Sequence, residues 1–269
     1  MLSEDAKTNQ RIAALMQRVL IVDPQPPSAK LLSGVLRDIS NCQIWTAADE
    51  TRGMTAAQGI EPHLIFVDHG PGLDGASLTR QIRRSELMCR KSPVIMFSSM
   101  ATAAAIIGAR DAGVHEFLRK PYTIKDLLRR LEAVSNRPRD WIEGIGYVGP
   151  DRRRFNSGDY SGPLKRRVDH AETPDEARFV QALKILKAAL AAMDADPKQA
   201  LRSMIAQAEV VQGCIRAKSD RDLKEAAVAL GRRLAHADPK QLPKAELEHL
   251  ARPLLAFLPH DDVGARPAA

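Results

Sequence analysis

Asp23, Asp68, Ser98 and Lys120 each stand at the end of a short apolar run, the place where open α/β sheets gather their functional side chains. Two carboxylates, a hydroxyl and an ammonium drawn to one end of a sheet would form a charged polar pocket. A second set of residues lies further along the chain. Tyr147-Val148-Gly149-Pro150-Asp151-Arg152-Arg153-Arg154 recurs thirteen residues on as Tyr160-Ser161-Gly162-Pro163-Leu164-Lys165-Arg166-Arg167. Each copy joins an aromatic ring, a Gly-Pro bend and three cations. Guanidinium forks bind phosphate and carboxylate bidentately, and a neighbouring ring offers a stacking face. Tyr147, Arg152, Arg153, Arg154, Tyr160, Lys165, Arg166 and Arg167 are therefore expected to form an anion-binding arm. Its ligand would be an acidic protein surface, a nucleic-acid backbone or a guanine-containing nucleotide. The plainer alternative is a solvated basic linker whose tyrosines pin it to the preceding domain.

The elements that must position these groups follow from length and pattern. A chain of 269 residues is long enough for two domains of ordinary size. Its three cysteines, Cys42, Cys89 and Cys214, have no metal or redox spacing, so they are expected to be reduced and buried. No apolar run approaches the ~18 residues of a membrane span, and the protein is expected to be cytoplasmic. The net charge of +7 is compatible with an anionic partner.

From Arg18 onward, apolar runs alternate with segments of helical period, the pattern of a parallel sheet covered on both faces. Strands are predicted at Val19–Asp23, Gln43–Ala47, Leu64–Asp68, Pro93–Ser98 and Glu116–Arg119, with helices that include Ser28–Arg37, Ser77–Arg84 and Ile124–Val134. Residues 136–172 are broken by Gly and Pro and are expected to be a linker or extended arm. Helical signals return at Thr173-Pro174-Asp175-Glu176, an N-cap followed by proline and a capping-box acid, and again at Asp196-Pro197 and Asp238-Pro239. Ser219 is expected to cap a third helix, Pro243 to delay the fourth, and Pro253 to kink or end it. The fold class is thus a five-stranded doubly wound parallel α/β sheet followed by a small all-α bundle. The expected division is an extension over 1–17, the sheet domain over 18–135, the arm over 136–172, the bundle over 173–260 and a disordered tail over 261–269.

Val19-Leu20-Ile21-Val22-Asp23-Pro24, Leu64-Ile65-Phe66-Val67-Asp68 with Asp74-Gly75, Pro93-Val94-Ile95-Met96-Phe97-Ser98 and Phe117-Leu118-Arg119-Lys120-Pro121-Tyr122 resemble the flavodoxin-like receiver domain of two-component response regulators. The resemblance covers roughly residues 18–135. It implies that Asp68 is the phosphoacceptor, attacking the phosphohistidine of a sensor histidine kinase or phosphotransfer protein. It implies that Asp23, Asp68 and the Gly70 carbonyl form an acidic pocket for Mg2+. Ser98 and Lys120 would contact the phosphoryl group, and Phe117 would be a switching aromatic. Two departures weaken the metal site: Pro24 replaces a second acid, and the loop from Asp68 to Asp74 is one residue shorter than usual. Magnesium is therefore expected to bind weakly, and a pseudo-receiver with an Asp68–Lys120 ion pair is the alternative. His69 is expected to be a solvated loop residue rather than a ligand.

In the bundle, Arg221-Asp222-Leu223-Lys224 with Gly231 is similar to the phosphorylated helix of histidine phosphotransfer domains, with Arg221 in the histidine position. A guanidinium is no nucleophile at neutral pH, so phosphotransfer there is excluded. The expected function is a non-enzymatic phosphorelay protein. Its receiver would control protein binding, by dimerisation or otherwise, through the arm and helical domain. The alternative is a nucleotide or nucleic-acid effector that uses the arginine repeat, with the receiver as scaffold.

Overall fold

The computed structural model describes residues 2–136, 139–152, 174–215, 221–241 and 243–258. The chain divides into two compact units, Met1–Ile142 with Tyr147–Ser161, and Glu143–Gly146 with Gly162–Ala269. The first unit opens with α1 (Leu2–Leu15) and continues through β1 (Arg18–Val22), α2 (Pro26–Ile39), β2 (Gln43–Ala47), α3 (Glu50–Ile60), β3 (Leu64–Asp68) and α4 (Gly75–Arg84). After a 3-10 turn at Met88–Lys91 come β4 (Val94–Ser98), α5 (Ala103–Asp111), β5 (Glu116–Arg119) and α6 (Ile124–Asn136), then the short strands β6 (Trp141–Glu143), whose last residue is assigned to the second unit, and β7 (Val148–Pro150).

Five strands pair in parallel in the order β2-β1-β3-β4-β5. The central strands are almost wholly buried, and their side chains alternate between the two faces, the period of 2 that a strand imposes. Leu20, Val22, Ile65, Val67 and Met96 enter one core. Val19, Ile21, Phe66, Ile95 and Phe97 enter the other. Register brings the strand ends level, with Asp68 opposite Phe97 and Ser98 opposite Arg119. The chain order reverses between β1 and β3, which opens a crevice at their carboxyl ends.

Helix starts are locally encoded. Pro26 and Pro27 open α2, where their fixed φ suits the first turn and their missing N–H groups cost no bond. Asp49, Asp74 and Thr102 cap α3, α4 and α5 with their side-chain oxygens. The segment expected as an extension is helical, and Ile12 with Met16 joins Leu127 and Leu131 of α6 in a shared core. The expected arm differs too: its first part, from Arg139 to Arg152, is a packed hairpin region rather than a loose linker.

The second unit contains α7 (Pro174–Ala191), α8 (Pro197–Ile215), α9 (Arg221–Ala235) and α10 (Lys244–Leu255) around one apolar core. Phe179, Leu183, Leu186, Leu190 and Met193 form its first stripe. Asp196 caps α8 by accepting from the Gln199 N–H at 3.1 Å. Asp238 makes a turn instead of a cap, α10 begins after Pro243, and it ends two residues past Pro253. Thr173, Ser219 and residues 261–269 lie outside the described residues. A buried polar row on α8 holds the segment that opens this unit. Ser203 Oγ and Gln207 Nε2 donate to the Glu143 carbonyl at 2.9 and 3.1 Å, and Gln199 Nε2 donates to the Gly144 carbonyl and the Glu143 carboxylate at 3.1 and 2.9 Å.

Candidate functional site

The crevice at the strand ends gathers Asp23, Asp68, Ser98 and Lys120 as the sequence predicts. Lys120 Nζ lies 2.7 Å from Asp68 Oδ1 and 3.1 Å from Asp23 Oδ2. The Asp23 side chain has no exposure, that of Asp68 is 12% exposed and that of Lys120 is 22% exposed, so these charges meet with little screening by water. Burial opposes the Lys120 ammonium, but hydrogen bonds and charge from Asp68 and Asp23 outweigh it and hold its pKa above the ordinary lysine value. Ser98, fully buried, donates to the His69 carbonyl at 2.6 Å and accepts from the Met100 N–H at 3.0 Å. Its hydroxyl stands at the right strand end but is held by the loop after β3. Lys120 also lies 4.7 Å from the centre of the Phe97 ring.

Sequence reasoning missed one member of the pocket. Ser28, in the first turn of α2, donates to Asp23 Oδ2 at 2.6 Å, and its oxygen lies 3.3 Å from Lys120 Nζ. The available signal was a hydroxyl residue opening a helix five positions after the strand-end acid.

As arranged, these residues do not present a divalent-cation site. Asp23 Oδ1 accepts the Gln25 N–H at 2.8 Å, while Oδ2 is engaged by Ser28 and Lys120. Gly70 and Leu73 exchange backbone hydrogen bonds across a tight turn, at 3.0 and 3.2 Å, so the Gly70 carbonyl is already an acceptor within its own loop. Pro24 packs on that loop: a Cβ at Gly72 would lie 3.2 Å from its ring. Among the described residues, no group of three or more His, Cys, Asp and Glu side chains is placed to hold a metal ion. His69 Nδ1 lies 3.5 Å from Asp74 Oδ1, in a half-buried side chain rather than the solvated one expected.

Residues 19–132 match the family model described as the response regulator receiver domain. The probable chemotaxis protein CheY of Rhizobium etli is 31% identical over 118 residues, which is 44% of this chain and 91% of that protein. The chain belongs to the response-regulator receiver family. The receiver is also 28% identical, over 45% of this chain, to the DNA-binding dual master transcriptional regulator RpaA of Synechocystis, and the chain spans 50% of RpaA's length. A solved CheY-like receiver from Methanospirillum hungatei is 20% identical with a TM-score of 0.41, covering 45% of this chain and 94% of that one.

Phe117 lies in β5, 3% exposed, in the core that contains Met96 and Ala109. The arm requires a correction at its first unit. Tyr147 is not open to a base, since its stacking face is taken by an arginine of the arm itself: it is buried in the first unit of the chain, and its hydroxyl donates to the Pro150 carbonyl at 2.5 Å. Burial pushes its pKa up to about 12. Arg152 covers the ring at 4.5 Å and pairs with Asp111 at 3.0 Å, so its charge is directed to the receiver itself. Burial raises the Asp111 pKa, but Arg110 and Arg152 more than offset it and hold the carboxyl below its usual range. Two glycines permit the close approach. Gly113 has φ 90°, and a Cβ there would lie 2.7 Å from the Val148 carbonyl; one on Gly149 would lie 2.8 Å from Gly113 Cα. Arg153, Arg154, Tyr160, Lys165, Arg166 and Arg167 lie outside the described residues.

The same end of the receiver contains a buried cation. Arg83, 1% exposed, donates to the carbonyls of Gly113, Arg90 and Ser92 at 3.0, 2.7 and 2.9 Å, and meets His115 Nδ1 at 3.2 Å. Burial lowers its pKa to about 9, which leaves it charged at neutral pH. The Val94 N–H also points at His115 Nδ1, at 3.3 Å, so that nitrogen serves as an acceptor and the ring is neutral.

Proposed function

We propose that this chain is an atypical response regulator in which Asp68 accepts a phosphoryl group from a phosphohistidine, and the helical bundle conveys the output by binding a protein partner. The observation that carries this reading is the gathering of a partly exposed Asp68 carboxylate, the Lys120 ammonium and the Ser98 hydroxyl at level strand ends, a nucleophile with two phosphoryl-binding groups beside it; the ion pair alone is shared with the pseudo-receiver alternative. The Asp68 carboxylate oxygen forms the new bond to phosphorus as the phosphorus–nitrogen bond of the donor breaks. The departing imidazole keeps the electron pair and takes a proton from water. Lys120 then moves its charge to a phosphoryl oxygen, and the Ser98 hydroxyl turns from the His69 carbonyl to donate to the same group. The donor is a sensor histidine kinase or phosphotransfer protein. Output by protein binding is supported by a compact helical unit that lies wholly beyond the residues matched by the receiver family. The alternative of an effector that binds nucleotide or nucleic acid through the repeated arginine unit is weakened, because Arg152 and Tyr147 are already engaged by the receiver.

Intact mass spectrometry after incubation with acetyl phosphate and Mg2+ tests the first step. The wild-type chain should gain one phosphoryl group and Asp68→Ala none. Absence of the gain in wild type, or its survival in Asp68→Ala, overturns the proposal.

A further inference from the structure

We infer that Ser28 is a positioning residue that, together with Lys120, holds Asp23 away from divalent cations, so that both oxygens of this carboxylate are satisfied from within the protein. The inference rests on reading Asp23, Asp68 and Lys120 as the receiver pocket, and it adds a role for a residue outside that set. Ser28 makes the shortest hydrogen bond to Asp23, 2.6 Å, and touches Lys120 Nζ with the same oxygen at 3.3 Å. The hydroxyl thus fixes both members of the ion pair. With the Gln25 N–H on Oδ1, each oxygen of a fully buried carboxylate is engaged by this protein's own donors.

Competition for the Asp23 oxygens supports the same conclusion. Two carboxylates face one ammonium in the pocket. A divalent cation added to that set would only turn its net charge from −1 to +1, and the cation would have to displace Lys120 or Ser28 from Asp23 to find a ligand. Pro24 supplies no donor, and its ring is packed against Gly72. A third carboxylate at position 24 would bring the pocket with a divalent cation to neutrality. Ser28 therefore sets whether Asp23 faces inward to Lys120 or outward to a metal. A hydrogen bond to a charged group is strong enough to shift a binding equilibrium by about tenfold.

Mn2+ binding to the full chain, measured from the electron paramagnetic resonance signal of the free ion, tests this directly. Ser28→Ala should tighten Mn2+ binding about tenfold relative to wild type, and Ser28→Ala with Pro24→Asp should tighten it beyond either single change. Ser28→Thr, which keeps the hydroxyl, should match wild type, and Asp23→Asn should remove the gain produced by Ser28→Ala. Tryptophan fluorescence and circular dichroism of each variant establish that it is folded. Unchanged or weaker Mn2+ binding in folded Ser28→Ala overturns the inference, as does wild type binding as tightly as the double variant. Mass labelling of Asp68 in the same samples separates the two readings. Loss of labelling with the Ser28 effect intact sinks only the phosphoacceptor proposal, and the converse result sinks only this one.

Discussion

His115 links a single protonation to the stability of the receiver. Burial, then the charges of Arg83 and Arg139, hold its pKa well below the usual histidine value. The unfolded chain takes up this proton below about pH 6.5, whereas the folded chain does not, so stability is lost as pH falls through that region. Urea unfolding at about pH 7.5 and about pH 5.5 should show wild type losing about 1 kcal/mol more than His115→Asn, whose amide oxygen can accept from Arg83 without titrating. Equal losses in the two proteins would show that His115 does not control this dependence. Asp23, Asp68, Ser98 and Lys120 were legible in the sequence because strand ends fix direction as well as position. Arg83 and His115 were not legible, since an arginine at a helix end is usually solvated and only the fold shows it surrounded by carbonyl oxygens.

Among the elements, the five strands and the four bundle helices were legible from apolar runs, caps and prolines, with ends shifted by a residue or so at β1 and β4. The hairpin β6–β7 was not. Its glycines and prolines have the composition of a loop, and its order comes from tertiary contact with Gly113 and Arg83 rather than from periodicity. The same contact makes a prediction. Gly113→Ala places a Cβ against the Val148 carbonyl at a φ that L-residues disfavour, and should destabilise the first unit by about 2 kcal/mol or more in urea unfolding followed by tryptophan fluorescence. A variant as stable as wild type would mean that the hairpin does not pack on this turn. Gly231, which the sequence likens to the closing glycine of a phosphotransfer helix, has a packing role instead: a Cβ there would meet Gln212 Nε2 at 2.4 Å, between α8 and α9.

Across the whole molecule, each unit has its own apolar core, and both tryptophans, Trp45 and Trp141, belong to the first. Leu186→Ala opens a cavity in the bundle core, at an expected cost of about 2–5 kcal/mol. Helical circular dichroism should then begin to fall at lower urea while the tryptophan transition stays in place; a joint shift of both signals would show that the units unfold as one. The described residues include no helix long and apolar enough to cross a membrane. The row of Gln199, Ser203 and Gln207 on α8 has a further consequence for how this chain tolerates change. Three hydrogen bonds from this row to Glu143 and Gly144 end on main-chain oxygens, which every residue type supplies. Apart from the buried Glu143 carboxylate, the grip is therefore indifferent to residue type but sensitive to spacing, so descendants of this sequence should keep the length of the segment more strictly than the residue types along it.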